Sequence, residues 1–270
     1  MLNKNNAVIT GAAGLLGPQH ALALNEIGFN VVLLDIDKKN LTLAYNKIKK
    51  KLKKNTKVFY YVCDISDEIQ VKQIANDLKN KNYIVNVLVN NADMNPKMKK
   101  YKNSYSGRIE DYSIDQLTKE ISVGVIGTFI CSKLFGEHMK INRKGSIINV
   151  SSDLGITAPD QRVYHKSENF KKVRNFKPIG YSISKHAIIG ITKYLSTYWA
   201  NNNIRSNTLV PGAVFNNQPK FLTRNVMKRI PLNRWAKSNE YKKAIQFLAT
   251  DDSAYMTGQS LIMDGGRTIW

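Results

Sequence analysis

Short apolar runs alternate with longer amphipathic stretches from one end of the chain to the other. Ala7–Thr10, Val31–Asp35, Val58–Cys63, Val85–Val89, Ser146–Val150, Ser206–Val210 and Ser260–Met263 read as strands. Between them Leu16–Ile27, Leu41–Leu52, Glu68–Leu78, Ile114–Lys140, Ser182–Trp199 and Glu240–Leu248 carry helical spacing. Strands that are apolar at every position are those buried on both faces. Alternating with helices, they predict one doubly wound α/β fold: a parallel sheet with helices on both faces. No repeat or low-complexity linker divides the chain, so residues 1–270 are expected to form a single domain.

The length suffices for one large core. No apolar run approaches a membrane span. The opening Met1-Leu2-Asn3-Lys4-Asn5-Asn6 lacks the apolar stretch of a signal peptide, so a cytoplasmic location is expected. Cys63 and Cys131 have no CxxC partner and read as buried free thiols. His20, His138, His165 and His186 show no ligand spacing, so no metal is expected.

"TGAAGLLG", residues 10–17, follows the first strand and opens the first helix. Gly11, Gly14 and Gly17 let the backbone approach a pyrophosphate at the helix N-terminus, with Leu16 in the same turn. Asp35 closes the second strand, where a carboxylate accepts hydrogen bonds from the adenosine ribose hydroxyls. It would repel a 2′-phosphate, so NAD is expected over NADP on a Rossmann-type sheet.

Further motifs follow in order: "CDISD" at 63–67, "NNA" at 90–92, "INVSS" at 148–152, "YSISK" at 181–185, "VPG" at 210–212 and "MTGQSLIMDGG" at 256–266. Together they resemble the short-chain dehydrogenase/reductase family over nearly the whole chain. The resemblance implies an NAD(P)-dependent oxidoreductase. Asp64 and Ile65 would border the adenine, Asn91 and Ala92 would line the cofactor, and Pro211-Gly212 would pass near the nicotinamide. It also implies a homodimer or homotetramer paired through the helices near 114–140 and 182–199. "SSDLGITAPDQRVY", "IGYSISKHAIIG" and "GQSLIMDGGRTIW" resemble a bacterial subgroup tied to surface carbohydrates, including flagellin sugars of the legionaminic acid kind.

Tyr181 and Lys185 stand at i and i+4, on one helix face. A free phenol titrates near 10, and a neighbouring ammonium is expected to lower that value. Tyr181 could then exchange a proton with an alcohol or carbonyl. By resemblance Ser152 would hold the substrate oxygen, and Lys185 would bond the nicotinamide ribose; Ser151 is expected to point the other way. Tyr164 lies at the more usual distance from the serine, but Glu168, not lysine, follows it by four residues. Two departures stand out: Gly124, where an asparagine often completes a proton relay, and Asp93 after "NNA", where glycine is common.

The net charge is +21. It admits nucleic acid, an anionic membrane or an anionic substrate, and AT-rich coding explains part of it. Three basic segments, at about 95–108, 157–180 and 215–235, leave the sheet edge where ligands bind, and read as substrate-loop insertions. They hold Arg108, Arg162, Arg174, Arg224, Arg229 and Arg234. Arginine suits carboxylate and phosphate. Arg162, Arg174 and Arg229 are therefore expected to read an anionic sugar: phosphorylated, nucleotide-linked or acidic. Solvated basic loops are the competing reading. A 3-ketoacyl-carrier reductase and a weakened scaffold member are the rival functions. No nucleic-acid motif is present.

Overall fold

The structure, a computed structural model, describes residues 5–95, 107–165 and 175–270. Seven strands form one sheet: β1 (Asn6–Thr10), β2 (Asn30–Asp35), β3 (Val58–Val62), β4 (Val85–Asn90), β5 (Gly145–Val150), β6 (Ile204–Pro211) and β7 (Ser260–Met263). Their order is β3-β2-β1-β4-β5-β6-β7, every neighbouring pair parallel. The helices are α1 (Gly17–Glu26), α2 (Lys38–Lys49), α3 (Glu68–Asn80), α4 (Ile114–Ile121), α5 (Thr128–Asn142), α6 (Ile179–Tyr198), α7 (Lys220–Met227) and α8 (Lys242–Ala249).

Residue type explains the layering. In β1, Ala7 and Ile9 join the core beneath α1, α2 and α8, with Leu24, Leu41 and Ile245. Val8, pointing oppositely, joins Val71, Phe135, Met139 and Leu195 beneath α3, α5 and α6. The edge strand β3 is buried only at intervals, as one covered face requires. Side chains start the helices where expected: Asp37 accepts from the Asn40 N–H and Asp67 from those of Ile69 and Gln70.

Two expectations change. The stretch Ile114–Lys140 is not one regular helix: α4 and α5 are joined by a wider π-helical turn, Ser122–Gly127. Helix α7, read as loop from its mixed sequence, forms because Leu222 and Val226 bury themselves with Val163, Tyr164 and Ile230. Both cysteines are buried and free, and desolvation pushes the Cys63 thiol up to about 12.

Chain order reverses between β1 and β4, and there the carboxyl ends of the strands open a cleft of about 1240 Å³.

Candidate active site

One half of the cleft is a backbone cradle. Gly11, at φ +60°, passes so near the β4 end that a Cβ would stand 2.7 Å from Ala92 Cα. Asn91 locks this approach, its Nδ2 donating to the Thr10 and Gly11 carbonyls at 3.1 and 3.0 Å. Gly14 and Leu16 line the cleft, while Gly17 lies behind them as the first residue of α1. Helix α1 has no side-chain cap, so its N-terminus remains ready for an anion. Asp35 accepts the Ala13 N–H and the Asp37 N–H, both at 2.9 Å, and so ties the glycine turn to β2. Asp64, Ile65 and Ala92 border the same half, and Pro211 and Gly212 border the middle. These residues fit a dinucleotide, which would supply or take the hydride.

The other half gathers Ser152, Tyr181 and Lys185 from different parts of the sequence. Ser152 leaves the end of β5; its hydroxyl donates to Asp153 Oδ1 at 2.8 Å and stands beside the Tyr181 phenol. Ser151 turns away and donates to the Lys185 carbonyl. Lys185 Nζ donates to the Val150 carbonyl at 2.8 Å and pairs with Asp93 Oδ2 at 2.9 Å. It lies 5.5 Å from the Tyr181 ring centre.

The Tyr181 phenol is held above its ordinary value, not below it. Burial is the largest cause, Asp93 adds to it, and the neighbouring Ser152 hydroxyl opposes both. The lysine does not lower it as the i,i+4 spacing suggests, because its charge is already paired with Asp93. Tyr181 is therefore protonated at neutral pH.

Asp93 also explains Gly124. A Cβ on Gly124 would lie 2.6 Å from Asp93 Oδ1 and 2.8 Å from Ser184 Oγ. The carboxylate stands where a side chain at 124 would begin.

Asp153 and Arg267 form a further buried pair in the cleft, at 2.5 Å, with side chains 4% and 10% exposed. Lys177 joins them, its Nζ 3.9 Å from the Tyr181 ring centre. Sequence reasoning passed over all three. Asp153 follows "INVSS" directly and Arg267 follows "DGG" directly, but nothing in their spacing joins them. Tyr164 is buried in the same wall, and burial raises its phenol too.

The loop arginines behave differently from expectation. Arg162 Nε and Arg229 Nη2 both pair with Asp160, at 2.7 and 2.8 Å, and neither lines the cleft. Arg108 and Arg234 pair with Glu110 and Glu240. Nearby carboxylates capture these side chains, and for Arg229 the carboxylate comes from the loop after β5. Arg174 and Glu168 lie outside the described residues.

Residues 11–268 match the family model described as enoyl-(acyl carrier protein) reductase. The chain is 31% identical to a 3-oxoacyl-[acyl-carrier-protein] reductase of Thermotoga maritima, covering 97% of both chains. It superimposes on a NAD+-bound xylitol dehydrogenase with TM-score 0.81, at 26% identity, covering 97% of this chain and 98% of that one. A gluconate 5-dehydrogenase from Burkholderia cenocepacia, in complex with NADP and tartrate, shares the fold: TM-score 0.83, 23% identity, 98% and 96% covered. With cradle, cleft and whole-chain similarity agreeing, the chain belongs to the short-chain dehydrogenase/reductase family and is an NAD(P)-dependent oxidoreductase.

Proposed function

We propose that the chain is an NAD-dependent enzyme that interconverts an alcohol and a carbonyl on an anionic, sugar-like substrate. The convergence of Ser152, Tyr181 and Lys185 beside the cradle carries this reading. Ser152 and Tyr181 hold the substrate oxygen, and the proton moves at the Tyr181 phenol oxygen. Lys185 orients the nicotinamide ribose. Gly11, Gly14, Leu16, Asp64, Ile65, Asn91, Ala92, Pro211 and Gly212 bind the remainder of the dinucleotide.

NAD is favoured because Asp35 and Asp37 face the adenosine end, where a 2′-phosphate would need a cation. Each Asp35 oxygen keeps acceptor capacity beyond its one backbone bond. The resemblance of "SSDLGITAPDQRVY" and "GQSLIMDGGRTIW" supports a place in surface-glycan synthesis. A carrier-linked 3-ketoacyl substrate is the second reading, favoured by the Thermotoga relative. We take residues 95–108, 157–180 and 215–235 as substrate loops of one domain. Ile126 and Phe129 on one helical stretch, and Tyr194 and Tyr198 on α6, are exposed and suit a homo-oligomeric contact, which light scattering tests; a monomer at micromolar concentration refutes it.

Calorimetry with both cofactors and Tyr181→Phe turnover test the central reading. NAD should bind more tightly than NADP. The variant should lose about 10²-fold or more in turnover while still binding NAD. Tighter NADP binding removes the Asp35 role; near-parental turnover moves the chemistry elsewhere.

A further inference from the structure

The reacting end of the cleft holds Lys177, Lys185 and Arg267 against Asp93 and Asp153. Lys185 pairs with Asp93 and Arg267 with Asp153. Lys177 has no such match among the described residues: its ammonium donates to the neutral Asn95 Oδ1 at 2.7 Å and covers the Tyr181 ring.

Its backbone is fixed. The Lys177 N–H donates to Gln161 Oε1 at 2.9 Å, and Pro178 stands at the N-cap of α6. A cation at a helix N-terminus opposes the helix dipole. Half-buried there, it also loses hydration. The cation–π contact with Tyr181 and the more distant charges of Asp93, Asp153 and Glu120 offset part of this. A bound anion would offset the rest.

We propose that Lys177 anchors an anion subsite beside Tyr181, which takes a carboxylate carried close to the reacting carbon, as in a polyhydroxy acid. This rests on the reading above that Tyr181 faces that carbon. Lys177 lies over the same ring, so an anionic oxygen bonded to it sits within a few bonds of the reacting centre. A phosphate at the far end of a long sugar would lie beyond its reach. The subsite takes the place expected of Arg162 and Arg229, which share Asp160 outside the cleft.

The pH dependence follows. Burial holds the Lys177 ammonium down to about 8, with Lys185 acting in the same direction and Asp93, Asp153 and Glu120 opposing it. The subsite should be charged below that value and should weaken as pH rises through it.

The test is calorimetric titration of the NAD-saturated protein with D-gluconate and with D-glucitol, which carries a hydroxymethyl group in place of the carboxylate. At neutral pH gluconate should bind about 10- to 150-fold more tightly, the range of one charge-assisted hydrogen bond. Lys177→Met should bring the two affinities together. Lys177→Arg should keep the preference and carry it to higher pH. Equal affinities in the parent, no binding of gluconate, or a preference that survives Lys177→Met would each overturn the subsite. If Lys177→Met fails to fold, the parent's preference and its persistence at high pH in Lys177→Arg decide the matter. D-Glucitol 6-phosphate matching gluconate would overturn the carboxylate assignment. NAD affinity is measured first: if NAD does not bind, the underlying reading and the subsite fall together. NAD binding without a preference for gluconate removes the subsite alone.

Discussion

Asparagine at position 124 should be tolerated only when Asp93 is removed. In Gly124→Asn the new Cβ starts 2.6 Å from Asp93 Oδ1. The carboxylate cannot simply retreat, because its other oxygen holds Lys185 Nζ at 2.9 Å in a pair only 4% and 6% exposed. Overpacking of this kind costs about 1–3 kcal/mol. Asp93→Ala alone should cost more, about 3–5 kcal/mol, since it leaves a buried ammonium with only the Val150 carbonyl. In the double variant the asparagine enters the vacated space, and its amide oxygen can accept from Lys185. Ser184, whose hydroxyl has no hydrogen-bond partner among the described residues, must turn aside. The double variant should therefore be more stable than the sum of the singles predicts, by about 1–3 kcal/mol. Urea unfolding of the four proteins at neutral pH measures this coupling. Additivity within about 0.5 kcal/mol would show that residues 93 and 124 do not share one space, and would refute the exchange.

Asp93→Asn removes a charge that holds the Tyr181 phenol up. With the proton moving at Tyr181 as proposed, alcohol oxidation should then begin at lower pH than in the parent; a pH–rate profile that does not move contradicts this. His20 is fully buried, and desolvation holds it down to about 4 from 6.5. The folded state resists protonating it while the unfolded chain does not, so stability should fall as pH drops from about 6.5 to about 4. The loss is of order 3 kcal/mol. His20→Gln should flatten that limb in urea titrations, although His138 and His165, also lowered by burial, leave a smaller slope. An unchanged slope would refute the assignment.

Much of the site was legible because local rules fix it. A strand, a glycine turn and a helix follow one another within residues 6–26, and Asp35 must lie beside that turn when β2 pairs with β1. Tyr181 and Lys185 share a face because the helical period puts them there. Lys177, Asp153 and Arg267 were not legible. They converge only because the end of β5, the start of α6 and the segment after β7 meet at the same edge of the sheet.

The sequence by itself determined the alternation of strands and helices, the glycine turn ahead of α1, and the placing of Tyr181 and Lys185 on one helix face. Each depends on periodicity or on neighbours close in the chain. Only the tertiary structure decided which charges are spent. It turned Arg162 and Arg229 onto Asp160, set Asp93 against Lys185 in the space left by Gly124, and placed Lys177 over Tyr181 with no paired carboxylate among the described residues. Electrostatic pairing depends on distance and burial in three dimensions, and neither is a property of sequence spacing.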